Sequence, residues 1–122
     1  RAALAALDSG TALIGGMVEA FRRRRGIAVE SLRRIPGARL LEPEGAFYAF
    51  PDLSAYFGKS SGGRTIRGSD DLAEHLMERA RAAVVPGSAF GDDRCIRISF
   101  ATGDDRLREG LARVASALEE LR

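Results

Sequence analysis

The alternation of side chains over residues 95 to 101 constrains this fold more than any other feature of the sequence. Ile96, Ile98 and Phe100 are predicted to share one face of a strand, because successive side chains of a β-strand point to opposite sides. Arg97 stands between the two isoleucines and points to the other face. A sheet with one apolar face needs a cover on that side only. The pattern therefore predicts a small sheet with helices packed on one face.

Four helices are predicted from apolar spacing and from residues that favour helix ends. They cover residues 1–7, 11–35, 69–80 and 104–121. In the second helix, apolar residues from Ile14 and Val18 through to Ile35 are predicted to share the face that packs on the core. Capping boxes are predicted at the last two helices, from Asp71 with Glu74 and from Thr102 with Asp105.

Two further short strands are predicted at residues 46–50 and 83–85, and the glycine- and serine-rich residues 52–68 are predicted to form a mobile loop. The resulting order is α-α-β-α-β-β-α. We expect an α/β fold of the two-layer α+β kind, with a mainly antiparallel sheet of about three strands and helices on one face. Residues 1–122 are predicted to form a single domain.

Composition excludes several classes of protein. Nineteen basic and 17 acidic residues give a net charge of +2, which is too small to indicate a nucleic-acid or membrane-surface binder. The longest apolar run, residues 2–7, is far shorter than a membrane span. A single cysteine, Cys95, favours a reducing, cytoplasmic setting. Because the chain opens at Arg1 and not at methionine, we expect a piece of a longer protein.

Arg97 is the strongest candidate for a binding residue. A guanidinium held on a strand can bind a carboxylate through two parallel hydrogen bonds, which fix the orientation of the ligand. The alternative is that Arg97 simply lies on the water-facing side of the sheet, and the strand pattern alone favours this alternative. The segment Val84–Gly91 is a glycine-containing turn that could cradle an anion, but a plain loop is favoured there.

Other chemistry-bearing residues are few. Lys59 is the sole lysine and lies in a segment built for exposure, so no catalytic nucleophile is predicted. One histidine and one cysteine are too few for a metal site made from those residue types. The run Arg22–Arg25 wraps around its helix, which favours a solvated surface with ion pairs over a basic binding face.

Three segments taken together resemble a known family. They are Pro43–Tyr48 (PEGAFY), Val84–Gly91 (VVPGSAFG), and Ile96–Thr102 (IRISFAT) followed by Arg108–Leu111 (REGL). Their order and spacing resemble the C-terminal end of class I aminotransferases, the pyridoxal-phosphate enzymes of the aspartate aminotransferase type. Residues 21–24 and the approach to Ile35-Pro36-Gly37 also look like the long helix that enters that region. The resemblance covers nearly the whole chain.

The resemblance implies a C-terminal small domain that closes over a cofactor held by a large domain. Arg97 matches the arginine that binds the substrate α-carboxylate, and Phe47 is a weaker match to an aromatic residue near the substrate pocket. The implied reaction is ping-pong transfer of an amino group from aspartate or a similar amino acid to a 2-oxo acid. Pyridoxal 5'-phosphate is implied for the longer protein, which is expected to be a homodimer. No cofactor-binding or catalytic residue is assigned in this chain, and the isolated piece is expected to be inactive.

Two other functions stay open at this point. One is a small basic RNA-binding module that uses Arg22–Arg25 with Phe47 and Tyr48, although the strands lack the aromatic pattern of RNA-recognition sheets. The other is a regulatory module that senses the carboxylate of an amino acid through Arg97.

Overall fold

Three short strands form the central antiparallel sheet. In this computed structural model, which describes residues 1–10 and 14–122, they are β1 (Tyr48–Ala49), β4 (Val85–Pro86) and β5 (Ile96–Ser99). Their spatial order is β1-β5-β4, with Tyr48 opposite Ser99 and Val85 opposite Arg97. The predicted antiparallel sheet of three strands is confirmed. The central strand β5 carries Arg97 and has a neighbour on each side.

The alternation along β5 separates the core from the opposite face as predicted. Ile96, Ile98 and Phe100 are buried, whereas Arg97 is half-buried and Ser99 is exposed. The three apolar side chains join a core shared with the three longer helices. These helices are α2 (Gly15–Arg33), α3 (Ser69–Ala80) and α4 (Asp104–Glu119).

The two N-terminal helices depart from the expected pattern. Helix α1 (Ala2–Asp8) has no buried residue, and the predicted start of the second helix at residues 11–13 lies outside the described residues. Ile14 and Val18 are exposed, so their predicted place in the core is wrong. The first turns of α2 line an open groove, and its buried residues begin at Ile27. No helix within the described ranges combines the length and apolar character needed to cross a membrane.

Residues 52–68 are more structured than expected. They contain a 3-10 turn (Ser54–Tyr56) and a small hairpin of β2 (Ser60–Ser61) and β3 (Arg64–Thr65). Leu53, Tyr56 and Ile66 are buried. The prediction of a mobile loop is therefore wrong, because three apolar anchors fix a segment whose overall composition is that of a loop.

Both predicted capping boxes are wrong. Asp71 accepts hydrogen bonds from Arg67. The first turn of α3 is capped instead from a later turn, where Asp93 accepts bonds from the amide and the hydroxyl of Ser69 at 3.0 and 2.6 Å. Among the residues that the structure describes, no side chain caps the start of α4. A cap supplied by a distant residue leaves no local sequence signal.

Candidate functional site

The Arg97 guanidinium is flanked by two aromatic rings. Its Cζ atom lies 4.4 Å from the centroid of Tyr48 and 4.6 Å from that of Phe90. Tyr48 belongs to β1, on one side of β5, and Phe90 ends the turn that follows β4, on the other side. Both contacts are close enough for a cation–π interaction. The two neighbours of the central strand thus bring aromatic faces to one positive charge.

Arg97 differs from the other partly buried arginines of the described chain. Three arginines are half-buried: Arg24, Arg25 and Arg97. Arg24 pairs with Asp104 at 3.1 Å, and Arg25 lies 3.5 Å from Glu42. Arg97 has no carboxylate within ion-pair distance and no side-chain hydrogen bond among residues 1–10 and 14–122. Its N–H donors are therefore free to bind an anion.

Phe47 is connected to Arg97 through Tyr48. Its ring centroid lies 4.3 Å from that of Tyr48 and 6.0 Å from that of Phe21. Phe47 is 39% exposed and lines an open, mainly apolar groove of about 810 Å³, together with Met17 and other residues of α2 and the chain leading to β1. Phe47 and Arg97, the two residues singled out from the sequence, therefore both contact Tyr48.

The 3-10 turn Gly87–Phe90 is fixed by hydrogen bonds to α3. The amide of Ser88 donates to the hydroxyl of Ser69 at 3.1 Å, and the Ser88 hydroxyl donates to Asp70 at 2.8 Å. Ser69 in turn donates to Asp93. The sequence favoured a plain loop over Val84–Gly91. The structure shows the short strand β4 followed by this anchored turn. Its role at the site is to carry an aromatic ring to the guanidinium.

The run Arg22–Arg25 forms no shared basic face. Arg22 pairs with Glu19, Arg23 and Arg24 both bind Asp104, and Arg25 donates to a backbone carbonyl. The hydrogen bonds from Arg23 and Arg24 hold the pKa of the Asp104 carboxyl below its usual value. These contacts agree with the solvated, ion-paired surface favoured from the sequence.

Lys59 and His75 are committed to other contacts. The Lys59 ammonium lies 4.9 Å from the centroid of Tyr56, and the His75 imidazole is within hydrogen-bond distance of the Ala117 carbonyl, at 2.9 Å. In the part of the chain that the structure describes, no three metal-ligating side chains are grouped together. The arrangement around Arg97 therefore supplies a cation and two aromatic rings to a ligand.

Cys95 is expected to react slowly with thiol reagents in the folded chain. Burial, followed by the negative charges of Asp92 and Asp52, raises the pKa of its thiol to about 11. At pH 8 the fraction of Cys95 present as the reactive thiolate should then be on the order of 100-fold lower than in an unfolded chain. Labelling with a chromogenic disulfide, with and without urea, measures the ratio. Equal rates under the two conditions would contradict the buried position.

Sequence reasoning missed Tyr48 and Phe90 as neighbours of Arg97. Tyr48 lies opposite Ser99, which shares a face with Arg97 because the two are separated by one residue on β5. This register could have been found only by pairing the strands 46–50 and 95–101 correctly. Phe90 gave no comparable signal, because it reaches the site through a turn.

Comparison with known proteins identifies a family. The sequence model of the aminotransferase class I and II family matches residues 1–114. The chain is 49% identical over 108 residues to a probable aspartate/prephenate aminotransferase of Aquifex aeolicus. The match covers 88% of this chain and 26% of that protein. The chain thus spans about a quarter of the length of this relative.

Solved structures agree in fold. The aspartate aminotransferase of Rhizobium meliloti matches with a TM-score of 0.92 at 39% identity, over 99% of this chain and 30% of that one. The aspartate aminotransferase of Thermus thermophilus with maleate matches with a TM-score of 0.76 at 34% identity, over 94% of this chain and 27% of that one. The predicted resemblance is confirmed: the chain belongs to the class I and II aminotransferase family.

Proposed function

We propose that residues 1–122 are the C-terminal small domain of a longer pyridoxal-phosphate-dependent aminotransferase of the aspartate type. In this proposal Arg97 binds the α-carboxylate of aspartate or a similar amino acid, and of the 2-oxo acid that accepts the amino group. Phe47 forms part of the apolar wall near the substrate. The domain contributes carboxylate binding and closure over the site, and the longer protein is a homodimer.

The observation that carries the proposal is the unpaired guanidinium of Arg97. A half-buried cation loses part of its hydration, and within the described chain no carboxylate or side-chain hydrogen bond replaces the lost hydrogen bonds of Arg97. A substrate carboxylate restores the missing interactions through charge-assisted hydrogen bonds. Membership of an aminotransferase family supports an amino-acid carboxylate as the ligand proposed for this cation.

The residues around Arg97 do not fit pyridoxal phosphate by themselves. An aldehyde cofactor needs an amine, and the sole lysine of the chain, Lys59, contacts Tyr56 and not the rings that flank Arg97. In the proposal the rest of the enzyme holds the cofactor. This chain binds and orients the substrate, and it helps to exclude water when the domains close.

The apolar groove beside Phe47 supports the proposal that another domain packs against this chain. Met17, Val18 and Phe47 are all at least 39% exposed and line its apolar wall. An apolar surface of this kind is typical of a contact with another domain or with a bound molecule. In the proposal the large domain and the substrate cover this wall, and closure brings it against the reacting groups.

Activity is expected in the longer protein and absent from the isolated chain. With aspartate and 2-oxoglutarate, the longer protein loaded with cofactor should show the parallel double-reciprocal plots of a ping-pong reaction. The 122-residue chain should show no turnover, and calorimetry should detect no binding of aspartate tighter than about 1 mM. Coupled spectrophotometric assays and titration calorimetry make these measurements.

Each competing function has a distinct result in the same experiments. Binding of aspartate by the isolated chain well below the millimolar range would support an amino-acid sensor and contradict the enzyme domain. Tight RNA binding that weakens steeply with salt would support a nucleic-acid module. A longer protein that binds the cofactor without transferring amino groups would contradict the proposed reaction.

A further inference from the structure

We propose that Tyr48 and Phe90 form an aromatic clamp that holds the Arg97 guanidinium in a fixed plane and presents its edge to the substrate. The clamp is defined as these two rings. Both residues are positioning residues, because they act on the substrate through Arg97. The inference rests on the proposed function, in which Arg97 is the carboxylate-binding group.

The positions of the two rings follow from the strand pairing. Tyr48 lies opposite Ser99, so it shares with Arg97 the face of the sheet that is turned away from Ile96 and Ile98. Phe90 comes from the other neighbour of β5 and lies 4.6 Å from the guanidinium carbon, against 4.4 Å for Tyr48. The guanidinium is therefore restrained from both sides of its own strand.

Aromatic contacts restrain a guanidinium without occupying its donors. The N–H groups of arginine lie in the plane of the guanidinium, whereas a ring stacks against the face of that plane. A structural carboxylate would hold Arg97 equally well, but it would compete with the substrate for the same donors. No such carboxylate contacts Arg97 within the described residues, whereas Arg24 and Arg25 both have one. The clamp therefore leaves both N–H groups of one edge free for a bidentate carboxylate.

Each ring of the clamp is itself supported. Phe50 packs edge-on against Phe90 with a centroid distance of 6.0 Å, and Phe47 lies against Tyr48 at 4.3 Å. The turn that carries Phe90 is tied to α3 through the hydrogen bond from Ser88 to Ser69. Because these contacts limit the movement of the rings, little entropy remains to be lost when the substrate binds.

The test compares leucine variants with conservative variants in the full-length enzyme. The probe is maleate, the dicarboxylate present in the Thermus thermophilus structure. Phe90→Leu and Tyr48→Leu remove the ring, and each should weaken maleate binding roughly 3- to 30-fold, the range expected for one cation–π contact. The KM for aspartate should rise by a similar factor. Phe90→Tyr and Tyr48→Phe keep a ring and should bind maleate nearly as the unmodified enzyme does. Phe57→Leu is the matched control, since Phe57 is a half-buried core-packed phenylalanine outside the clamp.

A double-mutant cycle separates positioning from a general loss of structure. Once Arg97→Ala has removed the guanidinium, Phe90→Leu should cause no further loss of maleate affinity. Full additivity, or equal losses in Phe57→Leu and Phe90→Leu, would overturn the clamp. Unchanged affinity in both leucine variants would also overturn it, while a large loss in Arg97→Ala would leave the proposed function standing. Unchanged affinity in Arg97→Ala would instead overturn the proposed function.

Discussion

Replacing Arg97 by alanine in the full-length enzyme is expected to lower kcat/KM for aspartate by a factor between about 30 and several thousand. This range corresponds to a loss of about 2–5 kcal/mol, the usual cost of removing one partner of a desolvated charge pair. The loss should be large because the guanidinium is half-buried and has no other carboxylate within the described chain. Steady-state kinetics with varied aspartate and varied 2-oxo acid make the measurement. Both substrates should be affected, since both carry an α-carboxylate.

Arg97→Lys should not restore activity. An ammonium is a point charge, so it cannot form the two parallel hydrogen bonds of a guanidinium, and it presents no planar face to the rings of Tyr48 and Phe90. Arg24→Ala is the matched control, because Arg24 is also half-buried but is paired with Asp104. Near-normal kinetics in Arg97→Ala, or losses of equal size in Arg24→Ala, would contradict the assigned role of Arg97.

The central strand and its helices could be predicted because their signals are local. Alternation placed Ile96, Ile98 and Phe100 on one face, and the structure buries all three. The last helix was predicted at 104–121 and is observed at Asp104–Glu119. The hairpin at residues 60–65 escaped prediction, because its anchors Leu53, Tyr56 and Ile66 are single apolar residues within a polar, glycine-rich segment. Isolated anchors produce no periodic pattern.

The candidate site could be predicted only in part, for the same physical reason. Arg97 stood out because a cation interrupts an alternating strand, and the resemblance to a family implied a substrate carboxylate as its ligand. Its surroundings depend on tertiary contacts: Tyr48 through the pairing of β1 with β5, and Phe90 through a turn tied to α3. Whether a half-buried arginine is already paired also depends on residues distant in the chain, as Arg24 and Asp104 illustrate. The sequence pattern alone therefore favoured the solvent-facing alternative for Arg97.

Gly87→Ala is expected to destabilise the folded chain by about 1–3 kcal/mol or more, the range for inserting a carbon where there is no space. A Cβ at this position would lie 2.1 Å from the carbonyl oxygen of Asp92 and 2.3 Å from that of Cys95. Both neighbours are backbone atoms, so relief requires the turn to move away from the start of β5. The same movement would break the hydrogen bond from the Gly87 amide to Cys95, which measures 2.8 Å. Urea unfolding of the 122-residue chain measures the change.

The same substitution at Gly26 should change the stability of the folded chain in the opposite direction. Gly26 lies within α2, and a Cβ there would meet no atom of the described residues within 4 Å. Gly26→Ala should therefore stabilise the chain by up to about 1 kcal/mol through helix propensity. A functional effect should also distinguish the two positions. Because Gly87 begins the turn that ends in Phe90, its replacement should weaken maleate binding in the full-length enzyme, whereas Gly26→Ala should not. An unchanged urea midpoint in Gly87→Ala would contradict the close approach of this turn to β5, and with it the rigid support of the ring beside Arg97.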